Sequence, residues 1–525
     1  MKTAGTILLL AALAPCAWAD YAAATGFTQL QAEAGAGLPN GAGVKMSIVE
    51  AALNNSEPPP YLPATGSGMF METGLFDGLT FSVESLPGTF SSHAQTVGSH
   101  MAGNLTDPAL GSASMAPGVT QLDCYYADTF DDDLLAPLPL KRAPSTETSQ
   151  VQNHSYIGYA SEATAATYND WLRRLDFSIA RDRYLSVAGV NNGGSTPDLN
   201  AAAYNILSVG LSNGNHSTGP TSAFCDGPGR LKPEIVAPLF ATSWATGYVS
   251  SAGALLRAQA NTLGDANALK SFLLKAILLA GATKEEFPAW TRTASHPLDS
   301  TFGAGELNIA HSFHILDGGE QPASAGTARP DEAWDVVPLT ASGQADYTLT
   351  IPPGSYGVEL SAFAVWERTL ADAAGPGYQL VPDALIDFNL ALYRDPAGGG
   401  SPILIDASTS TLYNLEHIHQ LSLPSGSYRL RITRNAGATR EVALAWRLKT
   451  AAQAPFLLAS RIGGMIDFTF TGLVVGQSYA VETSPSLTSW TTAHSFLAAT
   501  TSEVWSTPDP LAAGRAFYRI LPAAQ

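Results

Sequence analysis

Apolar and polar positions follow two regimes along the chain. From about Val44 to Leu316, short apolar runs such as Met46-Ser47-Ile48-Val49 and Tyr184-Leu185-Ser186-Val187-Ala188 alternate with stretches of helical period. Trp171, Leu172, Leu175 and Ile179 share one helical stripe, and Leu269, Phe272, Leu273, Ala276 and Ile277 share another. Continuous apolar runs mark strands buried on both faces. Alternating with helices, they predict an α/β unit over residues 20–316, a largely parallel sheet flanked by helices. The polar and glycine residues that close such runs lie at strand ends, where sites in this class of fold sit.

After a polar, Gly- and Pro-bearing stretch at 317–330, which reads as a linker, the period shortens to two. Tyr428, Leu430 and Ile432 alternate with Arg429, Arg431 and Thr433, and Asn435-Ala436-Gly437 then turns into Glu441 to Trp446. That pattern predicts a hairpin within a β-sandwich at 331–450. Ile466 to Phe470, Tyr479 to Glu482 and Phe517 to Ile520 predict a small further β module at 451–525. Neither β module carries a cluster of acids, histidines or cysteines suited to chemistry.

The 525 residues are 45% hydrophobic and only 14% charged, so two to four compact units with real cores are expected. The formal charge of -18, from 45 acidic against 27 basic side chains, argues against nucleic acid and anionic membranes as partners. Lys2, the apolar run Ile7 to Ala14 and Ala17-Trp18-Ala19 before Asp20 have the form of a signal peptide over residues 1–19, which predicts export. No apolar stretch reaches the roughly 20 residues of a membrane span. Beyond Cys16 only Cys124 and Cys225 remain, so one disulfide or two buried free thiols are expected.

Four segments carry chemistry. SSHAQTVGSHMAG around His93 and the later Ala116-Pro117-Gly118 resemble the histidine region of the subtilisin-like serine peptidases, with its motif H-G-T-H-V-A-G-x-x-A-G. RLKPEIVAP at 230–238 followed by ATSWATG at 241–247 is similar to that family's K-P-D-I-x-A-P and G-T-S-x-A-x-P, which makes Ser243 the nucleophile. LSVAGVNNGG at 185–194 resembles the strand whose Asn donates to the oxyanion; register points to Asn192, with Asn191 the alternative. VQNHSYIG at 151–158 resembles the edge of the substrate cleft, implying that Ser155, Tyr156 and Gly158 pair with substrate backbone. A serine at a helix N-terminus also makes chemical sense by itself, because unpaired backbone N–H groups favour a developing oxyanion.

GVKMSIVEA aligns with the strand that ends in the catalytic Asp, so Glu50 stands where an Asp is usual. Ala241 for Gly, Gly247 for Pro and Gly98 for Ala are the other departures. The order Glu50, His93, Ser243 matches the acid, His, Ser order of the subtilisin group. The resemblance implies a secreted serine endopeptidase acting on protein or peptide substrates, with Glu50, His93, Ser243 and Asn192 as its catalytic set and no cofactor required. A non-catalytic binding protein of the same fold and an esterase are the alternatives. His100, His154 and His216 read as surface or packing residues, not as metal ligands. The run Asp128, Asp131, Asp132, Asp133 reads as a solvated loop, where a structural calcium is possible but not assignable. The β modules suggest surface or polymer binding.

Overall fold

A computed structural model describes residues 17–63, 75–104, 113–137, 142–157, 164–193, 200–373, 379–382, 385–396, 398–452, 456–462, 464–473, 478–487, 489–508 and 516–522. Seven strands make the expected parallel sheet: β1 (Lys45–Glu50), β2 (Thr80–Val83), β3 (Gln121–Tyr126), β4 (Val151–His154), β5 (Leu185–Gly189), β6 (Leu207–Leu211) and β7 (Ile235–Ala237). They lie in the order β7-β6-β5-β4-β1-β3-β2. From β1 the chain crosses to the edge strand β2, comes back to β3 beside β1, and then builds the other way from β4 to β7. The junction of β1 and β4 is therefore the topological switch point, and a crevice is expected beyond its carboxyl ends.

The helices are α1 (Ala17–Ala24), α2 (Phe27–Ala34), α3 (Ser92–Ala102), α4 (Ala165–Asp182), α5 (Thr242–Leu263), α6 (Ser271–Gly281) and α7 (Ile309–Asp317). Their starts follow local rules. Ser91 caps α3 by accepting from the Ala94 N–H, and Asn308 does the same for α7 through His311. Glycine allows α5 to lie close to its neighbours. A Cβ on Gly189 of β5 would come 2.7 Å from Thr246 Oγ1, and one on Gly247 would come 2.9 Å from the Val97 carbonyl oxygen of α3.

Every residue of α6 is buried. One side meets the α/β core, and the other meets the β-sandwich that follows. In the sandwich a four-stranded sheet runs Glu332–Leu339, Arg440–Ala452, Ser355–Val365, Leu415–Leu423, and a five-stranded sheet faces it. Trp334, Val336, Phe363, Val365, Ala443 and Ala445 join the core of the α/β unit, while Ala333, Ala362, Ala364, Val442, Leu444 and Trp446 fill the sandwich interior. The period of two thus serves two cores. The stretch read as a linker supplies Ser324–Ala328 to the edge of the five-stranded sheet. The predicted hairpin does not form: Gly426–Arg434 pairs within one sheet and Arg440–Ala452 within the other. Their apolar faces, Tyr428, Leu430 and Ile432 on one and Val442, Leu444 and Trp446 on the other, meet in the core between the two sheets. The last module is two three-stranded sheets around Phe468, Phe470, Tyr479 and Val481.

Candidate active site

Glu50 is the last residue of β1 and is 1% exposed. His93 is the second residue of α3, and its Nδ1 lies 2.6 Å from Glu50 Oε2, with the ring 32% exposed. Such a pair places the proton on Nδ1 and leaves Nε2 as the basic nitrogen. Burial raises the Glu50 carboxyl above its ordinary range, against the pull of the His93 charge and hydrogen bond. On the imidazole burial works the other way, favouring the neutral ring. The field and hydrogen bond of Glu50 outweigh it, so the His93 pKa is raised. Glu50 Oε1 is buried and has no hydrogen-bond partner among the described residues.

Ser243 is the second residue of α5, whose first turn follows the extended residue Ala241. Its Oγ donates to the Ser155 carbonyl oxygen at 3.3 Å, and Ser155 Oγ donates back to the Ser243 carbonyl oxygen at 3.0 Å. Ser243 and His93 are not hydrogen-bonded to each other among the described residues. Asn192 Oδ1 accepts from the Thr242 N–H at 2.8 Å, which leaves the NH2 of the same amide for another acceptor beside the helix start. Asn191 is engaged through its backbone instead, exchanging bonds with Ser217.

The fold thus brings Glu50 to His93, Ser155 to Ser243 and Asn192 to the start of α5. Tyr156 OH donates to Asp131 Oδ1 at 2.9 Å and accepts from Asn200 Nδ2 at 2.8 Å. Gly158 lies outside the described residues. The acidic run is helical over residues 127–134 where a loop was expected; Asp128, Asp132 and Asp133 are solvated as expected, but Asp131 is buried against Tyr156, where burial lifts its carboxyl to about 8. Its spacing places Phe130 in the core, and Asp131 is drawn in beside it. His100, His154 and His216 are all buried packing residues. Among the described residues no group of three His, Cys, Asp or Glu side chains could hold a metal ion. Cys124 and Cys225 are buried free thiols, raised by burial.

Sequence reasoning missed Asn153 and Ser250. Asn153 Nδ2 donates to Ser155 Oγ at 2.8 Å, and Ser250 Oγ donates to Asn153 Oδ1 at 3.1 Å. The signal was present as a polar run, Gln152-Asn153-His154-Ser155, in a strand that a doubly covered sheet should make apolar.

No family model matches the chain. Among the curated proteins, likewise, there is no match. Among solved structures it is similar to a mutant of the protease domain of PatA, at 18% identity over 54% of this chain and 98% of that one, with a TM-score of 0.34. Pseudomonas sedolisin, a serine-carboxyl proteinase, gives 14%, 54% and 95% with a TM-score of 0.32. The nisin leader peptidase NisP from Lactococcus lactis gives 13%, 53% and 88% with a TM-score of 0.30. At identities and TM-scores this low, a functional reading has to rest on the geometry of the site.

Proposed function

We propose that the chain is an exported serine endopeptidase of the subtilisin-like class that hydrolyses peptide bonds through an acyl-enzyme. One observation carries the reading: a buried carboxylate on β1 grips the imidazole of α3 at 2.6 Å, at the switch point where α5 presents Ser243. In the reaction Ser243 Oγ turns from the Ser155 carbonyl to Nε2 of His93, gives up its proton there and attacks the substrate carbonyl. The imidazolium so formed faces the Glu50 carboxylate. The oxyanion forms where the Asn192 NH2 and the backbone N–H of Ser243 can donate to it, the N–H groups of Thr242, Trp244 and Ala245 being already bonded. His93 then passes the proton to the leaving amine, and water repeats the sequence on the ester. Ser155 and Tyr156, which follow the end of β4, offer the backbone along which the acyl side of the substrate would lie. No metal or cofactor is part of the scheme. Export rests on the N-terminal signal pattern, and binding of a surface or polymer falls to the β modules.

A second reading, a non-catalytic binding protein, is favoured by the resting hydrogen bond of Ser243 to Ser155 in place of His93. A fluorophosphonate probe separates the two. Labelling of the wild type, its absence in Ser243→Ala and peptide turnover by the wild type support the peptidase. No labelling of the wild type would overturn it, and turnover of esters without peptides would favour the esterase.

A further inference from the structure

β4 is the central strand of the sheet, yet it reads Val-Gln-Asn-His and runs into a serine, every one of them buried. Polar side chains in such a strand persist only where each finds a partner. On the face toward α5 the partners form one chain. Ser250 Oγ donates to Asn153 Oδ1 at 3.1 Å, Asn153 Nδ2 to Ser155 Oγ at 2.8 Å, and Ser155 Oγ to the Ser243 carbonyl oxygen at 3.0 Å. Ser250 Oγ also reaches the Thr246 carbonyl oxygen at 2.8 Å, so its single proton is shared between Asn153 on β4 and the helix main chain. Ser243 and Ser250 are seven residues apart, two turns on one face of α5. One amide therefore holds the helix at two points.

The adjacent strand carries the matching device. Glu50 at the end of β1 fixes His93, and Asn153 on β4 fixes the main chain of Ser243 through Ser155. The β1–β4 register aligns Ile48 with Asn153 and Val49 with His154, so one parallel pair sets both ends of the nucleophile-to-base distance. We infer that Asn153 is a positioning residue for Ser243, acting through Ser155 and steadied by Ser250. This rests on the peptidase reading given above. Such a residue touches neither substrate nor base; it acts on where the nucleophile stands, and misplacements near 1 Å are enough to slow a reaction by about a hundredfold.

The test uses the full-length protein and a peptide substrate, with kcat, KM and melting temperature measured for each variant. Asn153→Ala should lower kcat by on the order of tenfold to a hundredfold with KM little changed. Ser155→Ala should do the same, and the double variant should lose no more than the worse single one, because both break one chain. Ser155→Thr, which keeps a hydroxyl on the same carbon, should recover most of the Ser155→Ala loss. A kcat unchanged in Asn153→Ala and Ser155→Ala would overturn the inference and leave the peptidase intact. Losses that multiply in the double variant, or that follow the melting temperature, would also overturn it. If Asn153→Ala does not fold, the Ser155→Ala and Ser155→Thr pair decides by the same criteria. A wild type that neither labels with fluorophosphonate nor cleaves peptide would overturn the peptidase reading and this inference together.

Discussion

Glu50 reaches His93 at 2.6 Å with one methylene more than an Asp would have. Glu50→Asp should therefore lower kcat, because the carboxylate would fall short by roughly a bond length. Glu50→Gln should cost on the order of ten-thousandfold in kcat, since a neutral amide can hold the wrong tautomer. The pH profile gives an independent check. His93 must be neutral to act, so activity rises with pH as the imidazolium loses its proton. With its pKa raised by Glu50, the acidic limb of kcat/KM should lie above the ordinary imidazole value of about 6.5. Glu50→Gln leaves burial acting alone and should move the limb downward; a limb that stays in place would show that Glu50 is not the partner that matters. At the oxyanion side, Asn192→Ala should lower kcat by roughly a hundred- to thousandfold with KM nearly constant. Asn191→Ala should do far less, because Asn191 is engaged through its main chain. The reverse ranking in steady-state kinetics would exchange their roles. The motif residues were legible in the sequence because chemistry restricts residue type; the tie between Asn153 and Ser250 was not, because the two lie 97 residues apart.

At the scale of elements, the position of α5 depends on glycine where helix and sheet meet. Gly189→Ala would drive a Cβ to 2.7 Å from Thr246 Oγ1, a hydroxyl already bonded to the Thr242 carbonyl one residue before Ser243. The expected result is a loss of about 1–3 kcal/mol in denaturant melts together with a fall in kcat. Gly98→Ala is the contrast: the added methyl meets carbon atoms at 3.6–3.9 Å, an ordinary contact inside α3, so stability should hold or rise by about 0.5–1 kcal/mol through helix propensity. The helices and parallel strands around the site were predictable from their periods. The turn at Asn435 to Gly437 was not. Two alternating strands joined by a short loop satisfy a hairpin and a crossing between two sheets equally well, and only the apolar surface they share across the sandwich decides between them.

For the whole molecule, the sandwich belongs to the folding unit. Arg368 enters from it, is 5% exposed and pairs with Asp176 and Asp226 of the α/β unit, while Asn205 and Asn414 bond around it. Arg368→Ala takes the guanidinium away from the buried Asp176, which keeps the Tyr204 and Asn205 N–H donors, while Asp226 stays paired with Arg173; it should cost about 3 kcal/mol, measurable by chemical denaturation. A chain ending at Asp317 would uncover the outer face of α6 and should not give a soluble, cooperatively melting protein. A chain ending at Ala452 should keep activity and melting behaviour, since the last module has an apolar core of its own.

The sequence by itself determined the α/β class and the strand and helices that carry Glu50, His93 and Ser243, because periodicity and residue type are local properties. It also held a hint of the double burial of α6 in the run from Phe272 to Ala280, apolar at every position except Lys275. The tertiary structure alone decided that the Lys275 ammonium meets Glu234, that Asp131 turns inward, and that Ser243 rests on Ser155. Each of these depends on which distant backbone or side-chain group is within hydrogen-bond reach once the core has closed, and no local pattern encodes that distance.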